Sequence, residues 1–74
     1  MSFELAAIAV QDPLSIEDLD DRDSYGEDRV SLLGLAQGTV LVVIYTERDE
    51  RIRIISARRA NKHEQDRYYR EAGA

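Results

Sequence analysis

The sequence predicts an α+β domain in which a short N-terminal helix, a three-stranded antiparallel meander and a C-terminal helix follow one another. Three observations predict it. Apolar residues recur at helical spacing between Phe3 and Val10. Three apolar runs, at residues 29–35, 39–46 and 51–57, are separated by short polar reversals. Asn61, followed three residues later by Glu64, has the spacing of a capping box that starts a helix near Lys62.

Ser2 can cap the first helix, and Glu4 lies in its first turn, where a carboxylate meets the positive end of the helix dipole. Phe3, Ala6, Ala7 and Val10 supply the apolar face, widened by Leu5 and Ile8. Pro13 disfavours a helical Asp12, so the helix stops by Gln11 or Asp12. The segment from Ser15 to Asp28 carries Glu17, Asp18, Asp20, Asp21, Asp23, Glu27 and Asp28, and repulsion among them predicts an exposed loop anchored by Leu14 and Ile16. Asp18 and Asp20 could begin a calcium loop of the EF-hand kind. Arg22 and Asp23 break that pattern where a ligand and a glycine are needed, so no metal is expected.

Arg29 to Leu35 alternates as a strand, with Val30 and Leu32 on one side and Ser31, Leu33 and Leu35 on the other. Gln37-Gly38 marks a tight reversal. Thr39 to Thr46 is apolar on both faces and predicts the central strand; Glu47 to Glu50 then turns the chain back. In the third strand Ile52, Ile54 and Ser56 alternate with Arg51, Arg53 and Ile55. The last helix, about Lys62 to Ala72, is sparsely apolar, with Tyr68 and Tyr69 as its only large nonpolar bodies.

Residues 1–74 suffice for a single domain with a thin core. Without cysteine there is neither a disulfide nor a thiolate metal site, and no apolar run reaches the roughly 20 residues of a membrane span. No signal peptide is recognisable, so the cytoplasm is the expected compartment, with no membrane partner and no cofactor. The net charge of −5 conceals a division: residues 1–50 hold three basic and twelve acidic residues, residues 51–74 seven basic and three acidic. A basic third suits an anionic ligand, although the two ends of the chain could also neutralise each other.

That basic third centres on residues 51–64, which begin as a strand and end as a helix. Arg58, Arg59 and Lys62 surround the start of that helix, where unpaired backbone N–H groups and the dipole favour an anion. The stretch is a candidate phosphate site. The alternative is a solvated surface turn whose cations pair with the many carboxylates.

The run Tyr45-Thr46-Glu47-Arg48, then Arg51 to Ala60, then Lys62-His63-Glu64 and Tyr68, resembles the C-terminal half of the BrnT-like toxins. Ser2-Phe3-Glu4, Asp12-Pro13-Leu14 and the acidic segment resemble the middle of that family. The family is similar to RelE-type toxins. The resemblance implies a small ribonuclease of a type II toxin–antitoxin system, held inactive by a ribbon-helix-helix antitoxin, with DNA contacted only through that antitoxin. Family members usually begin with a further strand bearing a Phe-Glu-Trp-Asp-like motif and a helix ending in a Lys-His-Gly-like motif. Relative to them this chain reads as an N-terminally truncated RelE-like domain. An uncovered sheet edge would then favour a homodimer or strand exchange. A catalytically silent module that binds antitoxin or itself and acts as co-repressor is the alternative.

For metal-free RNA cleavage the ribose 2′-hydroxyl attacks the adjacent phosphorus, and the site must take a proton, stabilise the phosphorane and assist the leaving oxygen. The candidate catalytic residues are Arg53 and Arg58, which lie in the matching motif and have a physical reason to bind phosphate, and His63; Arg51, Arg59, Lys62 and Tyr68 are candidates for binding RNA phosphates. His63 is the only imidazole, the side-chain type that exchanges protons near neutral pH. Glu64 and Tyr68 are weaker acid–base candidates. The simpler readings are that His63 is a surface residue, Glu64 a cap and Tyr68 a packing residue.

Overall fold

A computed structural model describes residues 3–20 and 29–72. Its elements are α1 (Phe3–Val10), β1 (Ile16–Asp20), β2 (Arg29–Ala36), β3 (Thr39–Arg48), β4 (Arg51–Arg59) and α2 (Lys62–Glu71). The strands form one antiparallel sheet in the order β1-β2-β3-β4. Both helices, the β2 to β4 meander and the α+β class agree with the sequence. The strand number does not.

The additional strand is β1, which falls where an exposed acidic loop is expected. Its residues pair from Ile16 with Leu33 to Asp20 with Arg29. Carboxylates are tolerated there because β1 is an edge strand and two of them, Glu17 and Asp18, find partners. Asp18 accepts from Arg67 of α2 at 2.7 and 3.1 Å, and Glu17 accepts from the Tyr45 hydroxyl. The rest of the acidic segment, residues 21–28, lies outside the described residues.

With β1 in place, β2 and β3 are both interior strands, and alternate residues feed two cores. Leu32, Ala36, Leu41, Val43 and Tyr45 face α1 and pack with Ala6 and Ala9. Leu33, Val40 and Val42 face α2 and pack with Ala60 and Tyr68. The helices therefore cover opposite faces of the sheet. α1 approaches so closely that a Cβ on Gly34 would lie 2.2 Å from the Ala9 carbonyl oxygen. Only glycine leaves room for that contact.

Both hairpins turn through two residues at positive φ, as the right-handed twist of the strands favours. Gln37 and Gly38 have φ of 50° and 79°; Asp49 and Glu50 have 52° and 63°. The second pair contains no glycine, and glutamate is a poor occupant of that region.

Asp12 joins the layers. Beyond Leu33 the edge of β2 has no β1 partner, and Asp12 Oδ2 accepts the Leu35 N–H at 2.9 Å. Its Oδ1 accepts the Leu14 N–H at 3.0 Å, shaping the turn around Pro13, and Oδ2 also accepts from the Tyr68 hydroxyl of α2. Burial opposes ionisation of Asp12, but the hydrogen bonds from Tyr68, Leu14 and Leu35 outweigh it and hold the carboxyl below its ordinary value.

Candidate functional site

The basic face of the sheet is created by an irregularity in β4. Tyr45 pairs with Ile54 and Ile44 with Ser56, so Ile55 is an extra, unpaired residue, a β-bulge. The alternation read from the sequence holds from Arg51 to Ile54 and then slips by one. Ser56 consequently lies on the face opposite Ile54 instead of beside it. Arg58, five residues after Arg53, would point to the opposite face in a regular strand; with the bulge it returns to the same one. Paired residues share a face. Arg53 pairs with Thr46 and Arg58 with Val42, both on the α2 side, and Arg51 continues that row. Four strand positions separate Arg53 from Arg58, about 13 Å.

Arg53 does not stand by itself. Arg29, Thr46 and Arg53 are successive partners across β2, β3 and β4, and with Ile54 and Ile55 they line a depression of about 350 Å³. Thr46 is the one buried polar side chain among the described residues. Arg29 and Thr46 carry no sequence signal of their own, because only the register brings them beside Arg53.

Arg58 is fixed. Its Nη1 and Nη2 donate to Glu64 Oε1 and Oε2, both at 2.8 Å, and Nη1 also donates to the Arg59 carbonyl at 3.2 Å. The predicted capping box is present: Glu64 N donates to Asn61 Oδ1 at 2.9 Å, and Asn61 N donates to Glu64 Oε1 at 2.8 Å. Glu64 is thus shared between the helix start and Arg58. The bond from Arg58 holds its carboxyl below the ordinary value despite partial burial, and the Arg58 guanidinium is raised in turn. The connection between β4 and α2 has little slack, since Ala60 N donates to the Val40 carbonyl at 2.9 Å and Gln65 Nε2 to the Ala60 carbonyl at 3.0 Å.

The other predicted residues divide. Lys62 and His63 are exposed in the first turn of α2, directly after the segment that Arg58 and Glu64 pin. Arg59 lies on the α1 face, where it lines a groove of about 350 Å³ with Leu5, Ala36, Gln37, Thr39 and Leu41. Tyr68 is 2% exposed and its hydroxyl is given to Asp12, so its ring belongs to the second core and presents no surface to a polynucleotide. Burial and the neighbouring Asp12 push the Tyr68 hydroxyl up to about 12.

The arrangement offers the guanidiniums of Arg51, Arg53 and Arg58 of β4 on one sheet face that Arg29 of β2 shares, bordered by the exposed lysine and imidazole of a helix start. Such a surface can hold successive phosphates of a single strand, and the forked donors of arginine suit phosphate oxygens. Among the described residues no group of three or more His, Asp or Glu side chains is placed to hold a metal ion. Nor is any helix of the described residues long and apolar enough to cross a membrane.

Comparison with protein families gives a match over residues 1–64 to the model described as ribonuclease toxin, BrnT, of type II toxin–antitoxin system. No curated protein and no solved structure matches the chain.

Proposed function

The chain belongs to the BrnT family of ribonuclease toxins of type II toxin–antitoxin systems, and from that premise we propose that it is an endoribonuclease cleaving single-stranded RNA without a metal ion. The 2′-oxygen attacks the adjacent phosphorus and the bond to the 5′-oxygen breaks, leaving a 2′,3′-cyclic phosphate and a 5′-hydroxyl. Arg53 and Arg58 neutralise the phosphorane, while Arg51 and Lys62 hold neighbouring phosphates. Arg59 meets RNA only where the strand passes the sheet edge. His63 exchanges the proton with the attacking or the leaving oxygen. Supporting this reading above all is the bulge at Ile55, which sets Arg58 on the face of Arg51 and Arg53.

Neutralisation by a ribbon-helix-helix antitoxin, with DNA contacted through that partner in a cytoplasmic complex, belongs to the same proposal. Its test is to incubate purified protein with a defined RNA in excess chelator and identify the new ends. Cyclic phosphate ends, and their disappearance when the antitoxin is added, are expected. Cleavage that appears only with added divalent metal would contradict the mechanism.

A second reading, a catalytically silent module that binds antitoxin or a second copy and acts as co-repressor, draws on exposed apolar residues. Phe3 is 70% exposed and Ile8 42% on α1, while Ile52 and Ile55 are about half exposed on the edge strand β4. A folded protein that binds antitoxin tightly and leaves RNA intact would favour it.

A further inference from the structure

Glu64 holds Arg58 by one side of its guanidinium only. A guanidinium has five N–H donors, arranged so that Nη1 and Nη2 form one fork at its tip and Nε and Nη2 form a second fork along its side. Glu64 occupies the tip fork with both carboxylate oxygens, and the Arg59 carbonyl takes the remaining Nη1 donor. Among the described residues nothing takes the Nε–H and the second Nη2 hydrogen of Arg58. These are the side fork, two parallel donors matched to two oxygens of one phosphate. The Arg58 side chain is 57% exposed, so that fork can be reached from solvent.

We infer that Glu64 is a positioning residue, which grips the tip of Arg58 so that its side fork is presented, already oriented, to one phosphodiester of the RNA. The carboxylate is itself immobilised, because Asn61 N–H binds its Oε1 and its own backbone N–H is held by the Asn61 side chain. The grip therefore ties a strand guanidinium to the first turn of the helix that carries Lys62 and His63. A free arginine would have to freeze its rotamers on meeting RNA; one already clamped loses less on binding. The inference rests on the RNA-cleaving reading above, and it adds a role to a residue whose sequence signal is that of a helix cap.

The test uses the full chain as wild type, Glu64→Gln, Arg58→Lys and the double variant. Glu64→Gln keeps an oxygen for the Asn61 N–H, and so keeps the cap, but loses the charge and one of the two acceptors Arg58 uses. Arg58→Lys keeps the charge and loses both forks. Cleavage of a single-stranded RNA and binding of its uncleavable 2′-O-methyl form are measured for each, with folding checked by circular dichroism. Glu64→Gln is expected to lower kcat/KM and affinity about tenfold in the wild-type background and to have no further effect beside Arg58→Lys, since interacting residues are not additive. Equal losses in both backgrounds would show that Glu64 acts only as a cap. Tighter binding by Glu64→Gln would show that it competes with phosphate, and unchanged binding that it does neither; each overturns the inference.

A second readout separates this from failure of the RNA reading. Inorganic phosphate titrated into ¹⁵N-labelled wild type should shift the Arg58 Nε–H resonance, and the shift should shrink in Glu64→Gln. Wild type that responds to phosphate but leaves RNA intact would sink the ribonuclease reading and spare the fork. Absence of the shift would overturn the fork.

Discussion

The hydroxyl of Tyr68 donates to Asp12, joining the turn after the first helix to the interior of the last one across 56 positions of sequence. The same carboxylate satisfies the Leu35 N–H where β2 outruns β1. Few apolar side chains of α2 reach the sheet, Tyr68 being its one buried residue, so this carboxylate bears unusually on where α2 sits. Since α2 carries Lys62, His63 and Glu64, its seating also sets the edge of the basic face.

Asp12→Asn should therefore cost about 2–3 kcal/mol, because the amide supplies one acceptor oxygen where the carboxylate has two and no longer bears charge. Thermal unfolding measures the loss. Hydrogen exchange should show it largest in α2 and at Leu35.

Acid should act on the same contacts. Asp12, Asp18 and Glu64 all lie below their ordinary values of 3.8, 3.8 and 4.5 in the folded chain. A depressed folded-state pKa gives stability that is complete above the ordinary value and is lost as the pH falls through the folded one. The thermal midpoint should fall steeply below about pH 4. At the alkaline end Tyr45 and Tyr68 are pushed up to about 12, mainly by burial, so their contribution is complete below about 10 and is lost as the pH rises towards 12. A midpoint unchanged between pH 6 and pH 3 would contradict the role given to the three carboxylates.

Gly34→Ala places a methyl group 2.2 Å from the Ala9 carbonyl oxygen and 2.9 Å from Leu32 Cδ2. The backbone of α1 must retreat, at a cost of about 2–3 kcal/mol. Denaturant unfolding checks this. The loss should be relieved little by shortening Leu32, because the nearest atom is backbone.

Glu50→Gly should do the opposite. With φ at 63°, Glu50 holds a conformation that L side chains adopt at a cost and glycine does not. A gain of about 0.5–1 kcal/mol is expected in thermal or denaturant unfolding, with RNA cleavage unaltered.

Much of this fold is legible because local signals agree with tertiary need. Phe3–Val10 stops short of Pro13, while Ser2, read as its cap, lies outside the described residues; Thr39 to Thr46 is apolar on both faces because both faces are covered, and Asn61 with Glu64 starts α2 as a capping box. β1 is hidden because Glu17, Asp18 and Asp20 read as repulsion; the partners of Glu17 and Asp18, Tyr45 and Arg67, lie far along the chain. The bulge has no glycine to announce it, so the common face of Arg53 and Arg58 follows only from the register. Asp12 reads as the residue before a proline, and nothing local points to Tyr68. Tyr68, read as a candidate for binding RNA phosphates, lies beyond the matched residues 1–64 and serves the core, because a helix with so few apolar residues uses its tyrosine for packing.

The central claim is that Arg53 and Arg58 form the phosphate-stabilising part of an RNA-cleaving face. Its most direct test is the single-turnover cleavage rate of one defined RNA by wild type, Arg53→Ala, Arg58→Ala and the double variant, each shown to be folded. Removing such donors typically costs a hundredfold or more, and the double variant should lose at least about that factor. Full activity in the folded double variant would contradict the claim.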